Sequence, residues 1–219
     1  MLIGYILLAI AAVEIYIGLV LLFRYQHSLA TVFYGLFSIS VALYAGSNGF
    51  AYVQTIFSNN AAEYLSWVGA MPIAAFLLSF SFSFPAPKRQ LRELIPWIIW
   101  PLVIFIPGLL FTDLFIQHTT IPFVPGQKTS SGALLWFFLL IFGIYMVWAF
   151  RNLIVSYKTT TGYYRWLLKI LIIGLILSFI VSSIFDITIP LITETNFGYI
   201  GSLFTSVWVI ITGYIMLKK

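Results

Sequence analysis

Residues Ser79–Glu93 read SFSFSFPAPKRQLRE. An apolar run ends there at Pro85 and Pro87, and Lys88, Arg89 and Arg92 follow at once, with Glu93 beside them. A second apolar run starts at Ile95. Basic residues crowded between two membrane-length segments mark the cytoplasmic side, because Lys and Arg in short loops resist translocation. This turn predicts the fold class, an all-α polytopic membrane protein, and it orients the rest of the chain.

Composition agrees. The 219 residues are 62% hydrophobic and 8% charged, with a mean hydropathy of +1.05, whereas a soluble domain carries about 25% charged residues. A chain this apolar has too little polar surface to cover itself in water. There is no cysteine, so disulfides and thiolate metal sites are excluded. The net charge of +5 comes from short loops between apolar runs, so it reads as a topology signal and no nucleic-acid partner is expected. Leu2–Phe23 has no Lys or Arg before it. It is also longer than the roughly 7–15-residue apolar core of a signal peptide, which makes it a true span.

About 20 apolar residues cross a bilayer core as a helix. Seven stretches qualify: 2–23, 28–52, 64–84, 95–111, 132–155, 163–190 and 197–217. Barrel strands would alternate in runs of about 10 residues, and these runs are longer and continuously apolar. The expectation is a single domain, 1–219, folded as a seven-transmembrane helix bundle. Between the spans lie a polar loop at 54–63 with Asn59-Asn60 at its tip, a longer loop at 112–131, and a polar stretch at 156–162. With the N-terminus outside and the C-terminus cytoplasmic, the cytoplasmic side takes every basic residue except Lys128. The opposite orientation would reverse the charge rule in every loop. Trp67, Trp97, Trp136, Trp166 and Tyr163 fall near span ends, as an aromatic belt does.

Candidate chemistry is sparse. Glu14 is the charged residue near the middle of a span, where an ionised carboxyl costs about 2.5 kcal/mol or more on insertion scales. It is expected either protonated or paired inside the bundle, as a ligand contact or proton-sensitive switch, or else as a neutral carboxyl serving packing. Asp186, ahead of Pro190, is a pocket-lining acid or a solvated carboxylate at a helix end. Asn48 is placed to bond across helices, where such bonds average about 0.6 kcal/mol. Pro72 removes a backbone donor and bends the third span. Gly35, Gly46, Gly49, Gly198, Gly201 and Gly213 permit close helix contact. Tyr16, Tyr44, Trp67 and Trp148 either line a hydrophobic pocket or pack and face lipid. Ser79, Ser81 and Ser83 share a helix with no accompanying base, His27 and His118 fall in loops, and no metal or cofactor constellation is seen. The last span has no lysine for a retinal Schiff base, which argues against a microbial rhodopsin.

Three segments carry a resemblance: FLLSFSFSFPAPKR (Phe76–Arg89), YRWLLKILIIGLILSF (Tyr164–Phe179) and FDITIPLITETNFGYIGSLFTSVWVIITGYIMLKK (Phe185–Lys219). Their order and spacing resemble the seven-transmembrane N-terminal sensor region of prokaryotic histidine kinases, over essentially the whole chain. The resemblance implies a sensor in the cell (plasma) membrane that works as a homodimer with a cytoplasmic histidine kinase domain, in cis or in trans. No phosphoacceptor or ATP-binding domain follows the seventh span, so no enzymatic activity is expected of this chain, whether truncated or free-standing.

The expected function is therefore a sensory or receptor domain. A small or lipophilic ligand, or a state of the membrane lipid, acts near Glu14, Asn48, Trp67 and Asp186 in the outer half of the bundle. The signal then passes to a cytoplasmic partner through the last span. A small transporter or channel is the alternative, although such proteins usually show paired repeats, and none is evident here. An intramembrane enzyme would need a nucleophile–base or metal set that the sequence lacks.

Overall fold

Continuous apolar runs in lipid must satisfy every backbone group internally, and helices do so within one segment. The structure, a computed structural model, describes residues 1–24, 28–53, 59–86, 94, 97–98, 133–189 and 198–218. Among them are six helices: α1 (Leu2–Phe23), α2 (Leu29–Val53), α3 (Asn59–Ser83), α4 (Ala133–Thr159), α5 (Gly162–Ser182) and α6 (Gly198–Leu217). A π-helical segment, Ser183–Thr188, continues α5. All six helices are long and apolar enough to cross a membrane, and no strand occurs among the described residues. The expected span at 95–111, the loop at 112–131, the Lys88–Arg92 cluster, His27 and the turn at 191–196 lie outside the described residues, Trp97 and Ile98 apart.

Several expected boundaries move. Asn59-Asn60 is not a loop tip: it begins α3, five residues ahead of the expected start. α4 runs to Thr159 rather than Val155, which shortens the connection to Thr160-Thr161. The reason is the same in both places. Hydropathy locates the stretch buried in hydrocarbon, while the helical hydrogen bonds continue beyond it into polar sequence. The expected single helix over 163–190 changes hydrogen-bond register after Ser182. There the Ile189 amide donates to the Ile184 carbonyl, five residues back, and Thr188 Oγ1 donates to the Ser183 carbonyl at 2.9 Å.

Local chemistry sets two helix starts. The Thr31 amide donates to Ser28 Oγ at 3.2 Å, so Ser28 satisfies one of the free donors at the start of α2. Gly162 has a φ of +66°, a left-handed conformation that glycine adopts without steric cost. It lets the chain reverse between α4 and α5 within two residues.

α2 is the central helix, buried on most of its faces. Its Tyr34 and Phe37 rings pack against Phe80 of α3 and Trp208 of α6. The helices run as their contacts dictate. α2 is antiparallel to α1, with Gly4 against Gly49 and Gly18 against Gly35. α4 is parallel to α3: Trp67 packs on Phe138 and Phe82 on Trp148. α5 is antiparallel to α6, with Gly174 under Trp208 and Tyr163 donating to the Ile215 carbonyl at 3.4 Å.

These directions bring the ends of α1, α3, α4 and α6 and the start of α5 to one end of the bundle. Every described basic residue (Arg24, Arg151, Lys158, Arg165, Lys169 and Lys218) lies toward that end. Outward faces are apolar: Leu140, Ile144 and Val147 on α4, Ile173, Ile176 and Ile180 on α5, and Phe204, Val207 and Ile211 on α6 are all exposed. Such faces fit a multi-pass protein solvated by lipid tails.

Candidate functional site

α1 buries Gly4, Leu7, Ala11, Glu14, Gly18 and Leu21, an alternation of three- and four-residue steps that places all six along one seam. Glu14 occupies the register position of Leu7 and Leu21. The opposite wall comes from α2, where Gly35, Ala42 and Gly49 recur every seven residues. Backbones approach closely along this wall. A Cβ at Gly18 would lie 2.8 Å from the Gly35 carbonyl oxygen, and one at Gly35 would lie 2.9 Å from the Gly18 carbonyl oxygen. Small residues at such crossings are what membrane helices use in place of a hydrophobic driving force.

α6 closes the seam. Ser202, Ser206, Val209 and Gly213 lie four, three and four residues apart and all are buried. Each level meets a residue of α1 or α2. At the first, Asn48 Nδ2 donates to Ser202 Oγ at 2.9 Å. At the middle, Glu14 is 0% exposed and the Ser206 hydroxyl faces its carboxyl. Neither oxygen of Glu14, nor Ser206 Oγ, completes a hydrogen bond with any described group. Below, Tyr34 Oη donates to the Val209 carbonyl at 2.9 Å, and the Tyr34 ring lies beside Gly213. Ser38 Oγ donates to the Glu14 main-chain carbonyl at 2.9 Å, which ties α2 to α1 at the same level.

The arrangement is a polar ladder of three rungs inside an apolar bundle, and its middle rung is open. A buried polar group without a partner costs about 1–3 kcal/mol, so the Glu14–Ser206 level is where the bundle has most to gain from a ligand or from a shift of α6.

Two of the four sequence-derived site residues, Glu14 and Asn48, meet on this ladder. Trp67 does not. It packs edge-on against Phe138, with ring centroids 6.1 Å apart, at the α3–α4 contact. Asp186 falls in the π-helical segment, and its side chain lies outside the described residues. Among the other pocket candidates, Tyr16 is 66% exposed and faces outward, while Trp148 packs on Phe82. Among the described residues no group of His, Asp and Glu is placed to hold a metal ion.

Sequence reasoning missed Ser202, Ser206 and Tyr34. The signal was present in the seven-residue recurrence of Leu7, Glu14 and Leu21 and in the matching small-residue stripe of α6. A scan against family models, a search of curated proteins and a search of solved structures each found no match to this chain.

Proposed function

We propose that this chain is a seven-span sensory domain of the cell membrane whose output element is α6. In this reading the N-terminus is outside and the basic end of the bundle is cytoplasmic. A stimulus acts at the Glu14–Ser206 level, and α6 passes the shift to a cytoplasmic histidine kinase, in cis or in trans, within a homodimer. A ligand with different affinity for two positions of α6 would bias the equilibrium between them.

The observation that carries the reading is the convergence of Glu14 and Asn48 on one face of α6, with the middle rung unpaired. The sidedness is supported by the described basic residues gathering at one end. The count of seven is supported by the parallel course of α3 and α4. A chain that leaves α3 at one end and begins α4 at the other must cross an odd number of times between them.

The test fuses a dimeric histidine-kinase module after Lys219 and measures autophosphorylation in membrane vesicles. The expected result is that Glu14→Gln and Ser206→Val each shift basal output, in the same direction and without additivity. Output unchanged by both variants contradicts the proposed site. Specific solute uptake by vesicles holding the purified protein would favour a transporter instead.

A further inference from the structure

We propose that the ligand of the Glu14–Ser206 level is a proton, exchanged with water at the end of the bundle opposite the basic one. Where the proton binds is argued from the packing; that it acts as the stimulus rests on the sensory reading above.

The open polar atoms at this level are both carboxyl oxygens of Glu14 and Ser206 Oγ. Around them, α1, α2 and α6 contain no Lys, Arg or His, and no acid besides Glu14 itself. Among the described residues no charged group faces the carboxyl. The titratable group that faces it is Tyr34 of α2. Tyr5 and Tyr16 of α1 and Tyr214 of α6 are exposed, and Tyr52 and Tyr199 pack edge-on against each other near the far end. A carboxylate buried without a cation or a set of donors is far costlier than the neutral acid. The closed seam therefore holds Glu14 as the acid, with Ser206 Oγ in front of it. Three oxygens are too few for a metal ion, which takes about six. They suit one proton.

Packing decides the side from which that proton comes. Toward the basic end, the seam is sealed by Leu21, Tyr34, Phe37 and Phe80, all buried in the core cluster. Toward the far end it is built from Gly4 and Ala11 of α1 and Gly46 and Gly49 of α2, with Leu7 the one large side chain among them. The rungs differ in the same sense. Tyr34 is 0% exposed, whereas Asn48 is half-buried, and it is bonded to Ser202. Ser202 stands one turn beyond Ser206 on α6, about 6 Å along the axis. Polar groups thus lead from the carboxyl to the far end, and bulky rings close the other way.

The step is a single proton transfer. The Glu14 O–H bond breaks, the electron pair stays on the carboxylate, and the proton leaves past Ser206, Ser202 and Asn48 to water. The carboxylate then needs donors. In the closed seam Tyr34 Oη donates to the Val209 carbonyl at 2.9 Å. A hydrogen bond to an ionised acceptor is about twice as strong as one to a neutral carbonyl, so the hydroxyl turns to Glu14. Val209 loses its tie to α2, and α6 is released. The docked position of α6 binds the proton, so it is favoured when the water at the far end is acidic and is lost as that pH rises.

The test reconstitutes the full chain, with a tag after Lys219, into liposomes at low copy number and sorts them by whether the tag is reachable from the bath. Infrared difference spectra follow the C=O stretch of a protonated carboxyl against a fixed internal buffer. The bath is stepped from pH about 4 to about 9, which spans ordinary and buried carboxyls. The band missing in Glu14→Gln belongs to Glu14; Glu14→Leu, which continues the Leu7 and Leu21 series, replaces that control if Glu14→Gln does not fold. With the tag inside, the bath meets the far end, and the band should lose most of its intensity over the scan. With the tag outside, it should stay constant. The Tyr34 phenol signal, assigned by Tyr34→Phe, should shift in step with the loss. A band that is absent at every pH, indifferent to the bath in both populations, or lost with the tag outside contradicts the site. A phenol signal that stays still contradicts the link to α6. Output of the kinase fusion that ignores external pH while the band titrates would leave the proton site standing and overturn the sensory reading.

Discussion

Glu14 of α1 and Ser206 of α6 face each other at the middle of a buried three-helix seam, and neither completes a hydrogen bond with a described group. Above them Asn48 is bonded to Ser202, and below them Tyr34 is bonded to the Val209 carbonyl. The open rung therefore sits between two closed ones.

A leucine at position 14 would continue the series Leu7, Leu21. If the carboxyl serves signalling rather than packing, Glu14→Leu should hold or raise the thermal midpoint of the purified protein. The gain comes from removing an unpartnered buried group, about 1–3 kcal/mol, and output from the kinase fusion should be lost. A fall in stability with output intact would assign Glu14 to packing.

The α1–α2 seam tolerates no extra carbon at its glycines. Gly18→Ala places a methyl 2.8 Å from the Gly35 carbonyl oxygen, and overpacking of this kind costs about 1–3 kcal/mol. Gly143→Ala meets open space, so it should be neutral or gain up to about 1 kcal/mol from helix propensity. Thermal unfolding in detergent of the two variants, side by side, checks both signs.

The upper rung includes a neutral hydrogen bond from Asn48 to Ser202. A double-mutant cycle on Asn48→Ala and Ser202→Ala should return a coupling near 0.6 kcal/mol, the average for such bonds in membrane bundles. Coupling close to zero in a steric-trapping or unfolding measurement would remove the rung.

α6 is also held from the other side. The Trp208 indole lies on Gly174 of α5, where even a Cβ would overlap the ring. Gly174→Ala must displace the indole and with it the α5–α6 contact. In the kinase fusion this variant should change basal output without touching the Glu14 seam, and its effect should persist in a Glu14→Gln background.

Much of this architecture is legible in the sequence, because lipid imposes a length and a composition on each span. α1, α2 and α6 match their expected ranges to within a residue. The helix ends are less legible. Asn59-Asn60 has turn chemistry, yet it lies ahead of the apolar stretch of α3 that begins at Tyr64, where hydropathy no longer reports whether a helix continues. The site was half legible. Glu14 and Asn48 declare themselves as polar residues in apolar runs, whereas Ser206 is one small residue among many and acquires meaning from the face it shares with Ser202 and Gly213. Trp67 lies at the α3–α4 contact, away from this seam, and aromatic residues in an apolar chain serve packing and pocket alike. The register change after Ser182 is a matter of backbone hydrogen bonds, such as that from the Ile189 amide to the Ile184 carbonyl five residues back, which no hydropathy pattern encodes.

The central claim is a bundle that crosses the membrane seven times with its basic end in the cytosol. The chain has no native cysteine, so single cysteines can be placed without altering the background. The most direct measurement labels Ala86→Cys and Ala133→Cys in intact cells with a membrane-impermeant maleimide. Ala133→Cys should be labelled from outside, and Ala86→Cys should react only after the membrane is opened. Labelling of both from the same side, or the reverse pattern, would contradict it.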